Sequence, residues 1–396
     1  MGPLKDVRVL DLTSVILGPY ATQILASMGA DVIKVETPEG DNMRHVGPMK
    51  NSNMGHIFLH ANRGKKSIVL DLKTSPARKA LLELAKTVDV FISNVRPKAL
   101  ARLQLSYEDL KAVNPRLIYV SCTGYGQDGS NADRAAYDDL IQAATGIPWL
   151  MQEYGIDEPR YAPTTLGDRV TGLHCVYSVA AALYAREKTG EGQHIVVPMF
   201  EALTQFILGD HMAGESFVPA IGKTGYARVI SPYRKPYRTK DGFISILIYN
   251  DKQWKSFFDA IGTPEKYNEE IFCSHTNRAK NIDTVYSELG KIIETKTTEE
   301  WHVLLDRYDL PNQTMNSIQD LINDKHLQSK QFITTEDHPT EGKIRVMNDP
   351  IRWSGTPTQK TLTPAPTLGE HTSQILRSLG YSEQAIQALI ATGEGG

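Results

Sequence analysis

The chain has 396 residues, 41% of them hydrophobic and 22% charged, a composition that excludes disorder as the main state and leaves length for roughly two to three domains. Its 43 lysines and arginines against 46 aspartates and glutamates leave a formal charge of −3, without the basic excess of a nucleic-acid binder. Three cysteines, Cys122, Cys175 and Cys273, are too few and too far apart for a disulfide framework or a zinc cluster, so a reducing, cytoplasmic compartment is expected.

The opening MGPLKDVRVLDLTS enters a strand-like run directly, with no cationic and apolar leader ahead of it, so export is not expected. Strands are predicted at 7–12 (VRVLDL), 30–36 (ADVIKVE), 67–73 (SIVLDLK), 88–94 (VDVFISN) and 117–123 (LIYVSCT). Helices are predicted between them, from Ala21 to Met28 and from Ser75 to Thr87. This alternation predicts an open α/β domain with a parallel sheet covered on both faces. The run from Leu173 to Leu183 is far shorter than the roughly 18 apolar residues that span a bilayer, so a buried core helix is expected and a membrane partner is not. Beyond residue 200 the texture changes. A long strand, GFISILIYN at 242–250, a helix in KQWKSFFDAIG and further amphipathic helices predict a smaller α+β domain over 226–328. Prolines keep TPTQKTLTPAPTLGEHT irregular, helices follow at 371–379 and 382–391, and a mobile GEGG tail closes the chain.

One GxGxxG stands at Gly124, Gly126 and Gly129 after the strand LIYVSCT. A dinucleotide site needs a helix to begin at once and an acid at the end of the next strand. Ser130, Asn131 and Asp133 prolong the loop instead, so a glycine turn or the lining of another ligand's site is expected. Asp168, in LGDRVTGLHC, precedes an apolar helical run. It suits a helix cap and equally a nucleophile, with Gly167 and Gly172 allowing a substrate close to the backbone. Tyr137, Asp138 and Asp139 open another helix, with Leu140, Ile141 and Ala144 facing the core. Asp139 there complements the helix dipole, whereas Asp138 is left open between that and function. Arg44, Arg63, Lys65, Lys66, Lys73, Arg96, Lys98 and Arg102 recur on the N-terminal loops. Lys65, Lys66 and Lys98 read as solvated charge, whereas several of the group lie at strand-to-helix junctions, where α/β sheets bind ligands, and suit a phosphate-bearing anion. The 11 histidines show no HxxH or HExxH spacing, no metal is expected, and His174 reads as a satisfied core histidine.

The motifs VLDLTSVILGPYATQILASMGADVIKVETPEGDNMR, NRGKKSIVLDLKT, NPRLIYVSCTGYGQDG, AAYDDLIQAATG, LGDRVTG and PTLGEHTSQILRSLGYS together resemble the class III CoA-transferases of the CaiB/BaiF family, formyl-CoA:oxalate and carnitine CoA-transferases among them. The resemblance runs over essentially the whole chain. It implies a large Rossmann-like α/β domain built from both chain ends (1–225 and 329–396), a small α+β domain (226–328) and an interlocked homodimer. It implies that coenzyme A or acyl-CoA is a substrate and not a permanent cofactor. It places the nucleophile on Asp168 and the CoA-binding positions on Val15, Ile16, Leu17, Leu70, Asp71, Leu72, Lys73, Asn94, Val95, Arg102, Ala136, Tyr137 and Asp138.

The implied reaction moves CoA from an acyl-CoA to a free short-chain or dicarboxylic acid through an aspartyl-CoA thioester, with amides beside Gly167 stabilising the oxyanions. Ile16 stands where formyl-CoA:oxalate transferases have glutamine, and their glycine run is missing from RVISPYRKPYRTKDG, which argues against oxalate. Arg228, Arg234 and Arg238 are candidates for a clamp on a distal carboxylate. The alternatives are a non-catalytic CoA-binding protein and an acyl-CoA racemase of the same fold. The racemases' histidine belongs where this chain has Tyr137, whose phenol, with a pKa of about 10, is a poor base.

Overall fold

The computed structural model describes residues 2–358 and 362–391, so the GEGG tail lies outside the described residues. Six strands alternate with helices: β1 (Arg8–Leu12), β2 (Asp31–Glu36), β3 (Lys65–Val69), β4 (Val90–Ser93), β5 (Ile118–Thr123) and β6 (Gln193–Pro198). They form one parallel sheet in the order β3-β2-β1-β4-β5-β6. The winding reverses between β1 and β4, so the loops leaving these strands diverge and open a crevice at the carboxyl edge of the sheet. The helices used below are α1 (Leu17–Ser27), α2 (His56–Ala61), α3 (Ser75–Ala85), α4 (Pro97–Arg102), α5 (Tyr107–Val113), α6 (Asp138–Ala144), α7 (Ile147–Glu153), α8 (Leu166–Thr189) and α9 (Met199–His211).

Several boundaries differ from the pattern. Helix α1 starts at Leu17, because Pro19 falls in its first turn, where a missing N–H costs nothing. Strand β3 ends at Val69, and Leu70 to Lys73 leave as a turn in which Asp71 accepts the Lys73 N–H at 3.1 Å. The edge strand β6 has no counterpart among the predicted strands.

The chain packs into two compact units, one holding the described residues of Met1–Thr145, Pro163–Gln205 and Lys325–Gly396, the other those of Gly146–Ala162 and Phe206–Asp324. The cut falls at 205/206 inside the continuous helix α9, where no change of composition marks it. Residues 146–162 join the second unit because α7 packs on the short helix Ala227–Ile230. In that unit Tyr237–Arg238, Phe243–Ile246 and Asn312–Thr314 form an antiparallel sheet over a core of Trp254, Phe257, Phe258 and Trp301. The expected nine-residue strand shortens to Phe243–Ile246, since Asn250 turns away to cap the next helix through the Gln253 N–H at 2.9 Å.

Strand alternation gives the two faces of the parallel sheet different chemistry. Leu10, Ile33, Ile68, Phe91 and Tyr119 point to one side and pack with Leu81, Leu84, Leu376 and Ile386 in an apolar core. Asp11, Lys34, Glu36, Lys65 and Ser67 occupy the opposite parity and are all buried. Lys65 Nζ donates to Asp11 at 3.1 Å, to Asn62 at 2.8 Å and to the Pro19 carbonyl at 3.0 Å. Arg44 grips Glu36 with Nε and Nη2, both at 2.8 Å, and its guanidinium lies over the Phe58 ring at 3.7 Å. Arg63 is paired with Glu336 at 2.7 Å. Arg44, Arg63 and Lys65 are therefore spent inside the fold, contrary to the reading of Lys65 as solvated charge, and Arg44 and Arg63 are not free for an anionic ligand. Lys66 and Lys98 do lie at the surface, paired with Asp31 and Asp133.

Burial pulls the Lys65 ammonium down to about 8. Burial also opposes ionisation of Asp11, but Lys65 and Lys34 outweigh it and hold that carboxyl below its ordinary value. Removing one partner of such a pair strands the other in the interior. Asp11→Ala is expected to cost about 3–5 kcal/mol in urea unfolding, whereas Lys66→Ala, which breaks a half-exposed pair, costs less than about 1 kcal/mol.

Candidate active site

The crevice at the β1/β4 reversal widens into a cleft of ≈ 1060 Å³, a size within reach of large cofactor sites, which run to roughly 1,000 Å³. Of the residues singled out from sequence, Val15, Ile16, Leu17, Asn94, Arg102, Ala136, Tyr137, Asp138 and Asp168 line it. Val95 follows Asn94 but is not in the lining, and neither are Leu70, Asp71, Leu72 and Lys73 in the loop after β3. Arg96, Lys98 and Arg134 line the cleft as well, so basic side chains gather at the start of α4 and on the loop before α6.

The cleft floor is held by the β1–α1 loop. Ser14 donates its N–H to Asn94 Oδ1 at 3.0 Å and its carbonyl accepts from Asn94 Nδ2 at 2.8 Å, so the two diverging loops are tied across the reversal. Val15 has φ +72°, a strained conformation for a β-branched residue. Its N–H donates to Asp41 Oδ1 at 3.1 Å, and Lys34 Nζ holds Asp41 Oδ2 at 2.9 Å and the Thr13 carbonyl at 2.7 Å. The buried charges under the sheet edge thus reach into the loop that lines the cleft.

Asp168 lies in the first turn of α8, whose capping residue is Thr165, and its carboxylate makes no cap. Asp138 Oδ1 instead accepts the Asp168 N–H at 2.9 Å, and Asp138 Oδ2 accepts from Gln142 Nε2 at 2.6 Å. The capping role falls to Asp138, from 30 residues away, and it takes an amide that was expected to serve an oxyanion. Desolvation first, then the like charge of Asp138, push the Asp168 carboxyl up to about 7, with Arg169 opposing. A Cβ on Gly167 would lie 3.2 Å from Asp138 Oδ1, and one on Gly172 would lie 2.9 Å from the Leu17 carbonyl. These glycines therefore admit the protein's own close approaches rather than a substrate's.

The other candidates sort by environment. In α6 only Ile141 of the three expected core residues is buried; Leu140 and Ala144 are exposed. The glycine loop is a turn, with the Gly126 N–H donated to Glu201 at 2.8 Å, and α6 begins only at Asp138. Glu201 was not singled out from sequence, because its partner lies 75 residues away. His174 is half-buried, with Nδ1 at 2.9 Å from the Val170 carbonyl. Helix α8 is the expected core helix on one face only: Cys175, Val176, Val179 and Leu183 are buried, while Leu173, Tyr177 and Tyr184 are exposed along one stripe. In the second unit Arg228 donates to the Tyr286 hydroxyl at 3.0 Å, Arg238 lies over the Phe243 ring, and the Arg234 carbonyl accepts from Tyr154. No group among the described residues is arranged to hold a metal ion, and no described helix is long and apolar enough to cross a membrane.

Residues 4–372 match CoA-transferase family III. The chain is 35% identical over 398 residues to a succinate–glutarate CoA-transferase of Agrobacterium fabrum, covering 96% of this chain and 97% of that one. It is 33% identical over 399 residues to a succinyl-CoA:glutarate CoA-transferase of Mus musculus, covering 99% and 90%. The crystal structure of a CAIB/BAIF family protein from Brucella suis superposes with a TM-score of 0.80 at 30% identity, covering 96% of this chain and 99% of that one.

A carboxyl raised from 3.8 to about 7 keeps its proton in the folded chain after the unfolded chain has lost it. Stability therefore falls as pH rises from about 4 to 7 and the deficit stays above 7. Asp168→Asn is expected to raise the thermal midpoint at pH 8 by about 2–4 °C, the response to roughly 1 kcal/mol in a domain of this size, and by less at pH 5. Scanning calorimetry at both pH values checks it.

Proposed function

The chain belongs to CoA-transferase family III, and on that premise we propose that Asp168 is the nucleophile through which it transfers CoA. The enzyme moves CoA from an acyl-CoA to a free carboxylic acid. The observation that carries the proposal is the Asp168 carboxyl itself, half-buried on the cleft beside Asp138 and raised to about 7. A carboxylate made this basic is a better nucleophile than an ordinary aspartate and remains substantially ionised at neutral pH.

The exchange proceeds in four balanced steps. The Asp168 carboxylate attacks the thioester carbonyl, the carbon–sulfur bond breaks, and CoA leaves as thiolate from a mixed anhydride. The thiolate attacks the Asp168 carbonyl and releases the donor acid, leaving aspartyl-CoA thioester. The acceptor carboxylate displaces CoA from it, forming a second anhydride. The thiolate then attacks the acceptor's acyl carbon and restores the Asp168 carboxylate. Anhydride and thioester are both activated acyl groups, so no step discards the activation, provided water is kept out.

The cleft supports CoA binding at Val15, Ile16, Leu17, Asn94, Arg102, Ala136, Tyr137 and Asp138, with Arg96 and Arg134 on its lining for phosphates. Val95 and the segment Leu70 to Lys73 belong to the same assignment at the carboxyl end of neighbouring strands. The acceptor is a short-chain dicarboxylic acid, in keeping with the relatives named for succinate and glutarate. The working form is an interlocked homodimer in the cytoplasm. Leu173, Tyr177 and Tyr184, exposed at 49%, 57% and 68%, give α8 an apolar face that a second chain covers.

Incubation with succinyl-CoA and then hydroxylamine is expected to convert Asp168 to its hydroxamate, found by peptide mass mapping. An unlabelled Asp168, or a turning-over Asp168→Ala enzyme, sinks the assignment, and CoA binding without turnover in the unmodified protein indicates a non-catalytic binder. Because the ionised form attacks, kcat/KM is expected to fall below an apparent pKa near 7. Asp138→Asn, which removes the like charge, moves that limb to lower pH. Analytical ultracentrifugation is expected to give twice the chain mass.

A further inference from the structure

Gln142 lies on α6 one turn beyond Asp138 and is fully buried, a place that suits a polar side chain only when its amide is engaged. Its Nε2 donates twice, to Asp138 Oδ2 at 2.6 Å and to the Thr164 carbonyl at 3.1 Å. The second bond fixes which way the amide faces: a backbone carbonyl can only accept, so the nitrogen must meet Thr164, and the same nitrogen meets Asp138. Thr164 stands just before Thr165, the residue that caps α8. One side chain thus ties the Asp138 carboxylate to the segment that delivers Asp168, and the other oxygen of that carboxylate accepts the Asp168 N–H at 2.9 Å. Asp138 also lines the open cleft. Without its tie to Gln142, its carboxylate is free to turn toward water, which solvates it in place of the lost donor.

We infer that Gln142 is a positioning residue for the CoA exchange, holding the Asp138 carboxylate against the first turn of α8 so that the nucleophile is anchored through its own backbone N–H beside a fixed negative charge. This rests on Asp168 being the nucleophile. Gln142 is buried and is not on the cleft lining, so it acts through Asp138 and not on a substrate. Losing it loosens the anchor and withdraws the neighbouring charge together. Desolvation and then Asp138 raise the Asp168 carboxyl, so withdrawal of that charge moves its ionisation to lower pH. Around the two carboxyls, Tyr137 and Asp139 flank Asp138, Arg169 follows Asp168, Arg134 stands on the cleft lining, and α9 brings the uncharged Met199 and Leu203 close to Gly167. All of these stay when Gln142 is replaced, so a shift in the pH profile reports Asp138.

The test is a double-substitution cycle in the full chain, with succinyl-CoA and glutarate as substrates. Gln142→Met keeps the length of the side chain and deletes its donors. It is expected to lower kcat about 10- to 100-fold, the effect of one hydrogen bond to a charged group, with KM for succinyl-CoA little changed, and to move the acid limb of kcat/KM to lower pH. In the Asp138→Asn background the same substitution is expected to add no further loss and no further shift, because the carboxylate it acts through is gone. Equal losses in both backgrounds, or an unmoved limb for Gln142→Met alone, overturn the inference. Gln142→Asn, whose amide falls one methylene short of both partners, replaces the methionine variant should that one not fold, and is held to the same outcomes. Hydroxylamine trapping at Asp168 is run alongside. Its failure in the unsubstituted enzyme refutes the nucleophile itself, whereas trapping together with equal losses refutes only the role of Gln142.

Discussion

The cleft depends on charges that no solvent reaches. Asp11, Lys34, Glu36 and Lys65 stand on one face of the sheet, where a simple strand pattern would place valine or isoleucine. Each is answered by a neighbour of opposite sign, and together with Asp41 and Arg44 they sum to zero. Such a network adds little net stability over well-packed apolar residues, but it specifies one arrangement, since a misplaced member leaves an unmatched charge inside. What it specifies is the loop after β1. Asp11 accepts the Thr13 N–H at 3.0 Å, Lys34 donates to the Thr13 carbonyl, and Asp41 accepts the Val15 N–H. The positive φ of Val15 persists because it is fixed from both sides.

The second arrangement that matters is deliberately unfavourable. Two carboxylates, Asp138 and Asp168, share the head of α8, and only the backbone N–H of one satisfies the other. Asp138 is stabilised by that amide and by Gln142, so the cost falls on Asp168. The asymmetry separates two chemically identical side chains into one that holds the helix and one whose carboxyl is poised near neutrality. Arg169 partly offsets the same field, so whatever neutralises Arg169 also makes Asp168 more basic.

Much of this was legible in the residues. Five of the six parallel strands follow from β-branched runs separated by helical patterns, and Asp168 stands out as an acid heading an apolar helix. What was not legible depends on contacts distant in sequence. QHIVVP is strand β6 only because β5 lies beside it, Val120 against Ile195; alone it is a short run after a glycine turn. Lys65 has the composition of a surface lysine in NRGKKS, and its burial follows from Asp11, 54 residues earlier. The role of Asp138 depends on an amide 30 residues on. Helix α8 misleads in the other direction: its apolar residues are real, yet Leu173, Tyr177 and Tyr184 face outward in the single chain.

The route of the chain through the first unit also sets an order of events during synthesis. Strand β3 pairs with β2 on one edge, but on its other edge the Ser67 carbonyl accepts the His371 N–H at 2.9 Å and Val69 donates its N–H to the Thr372 hydroxyl at 3.1 Å. Every residue of the second unit leaves the ribosome before these. The second unit can therefore close while the first still waits with an open β3 edge, and a nascent chain stalled after residue 324 exposes a strand ready to pair with a neighbour. That edge of β3 gains its partners only once residues 371 and 372 have been made.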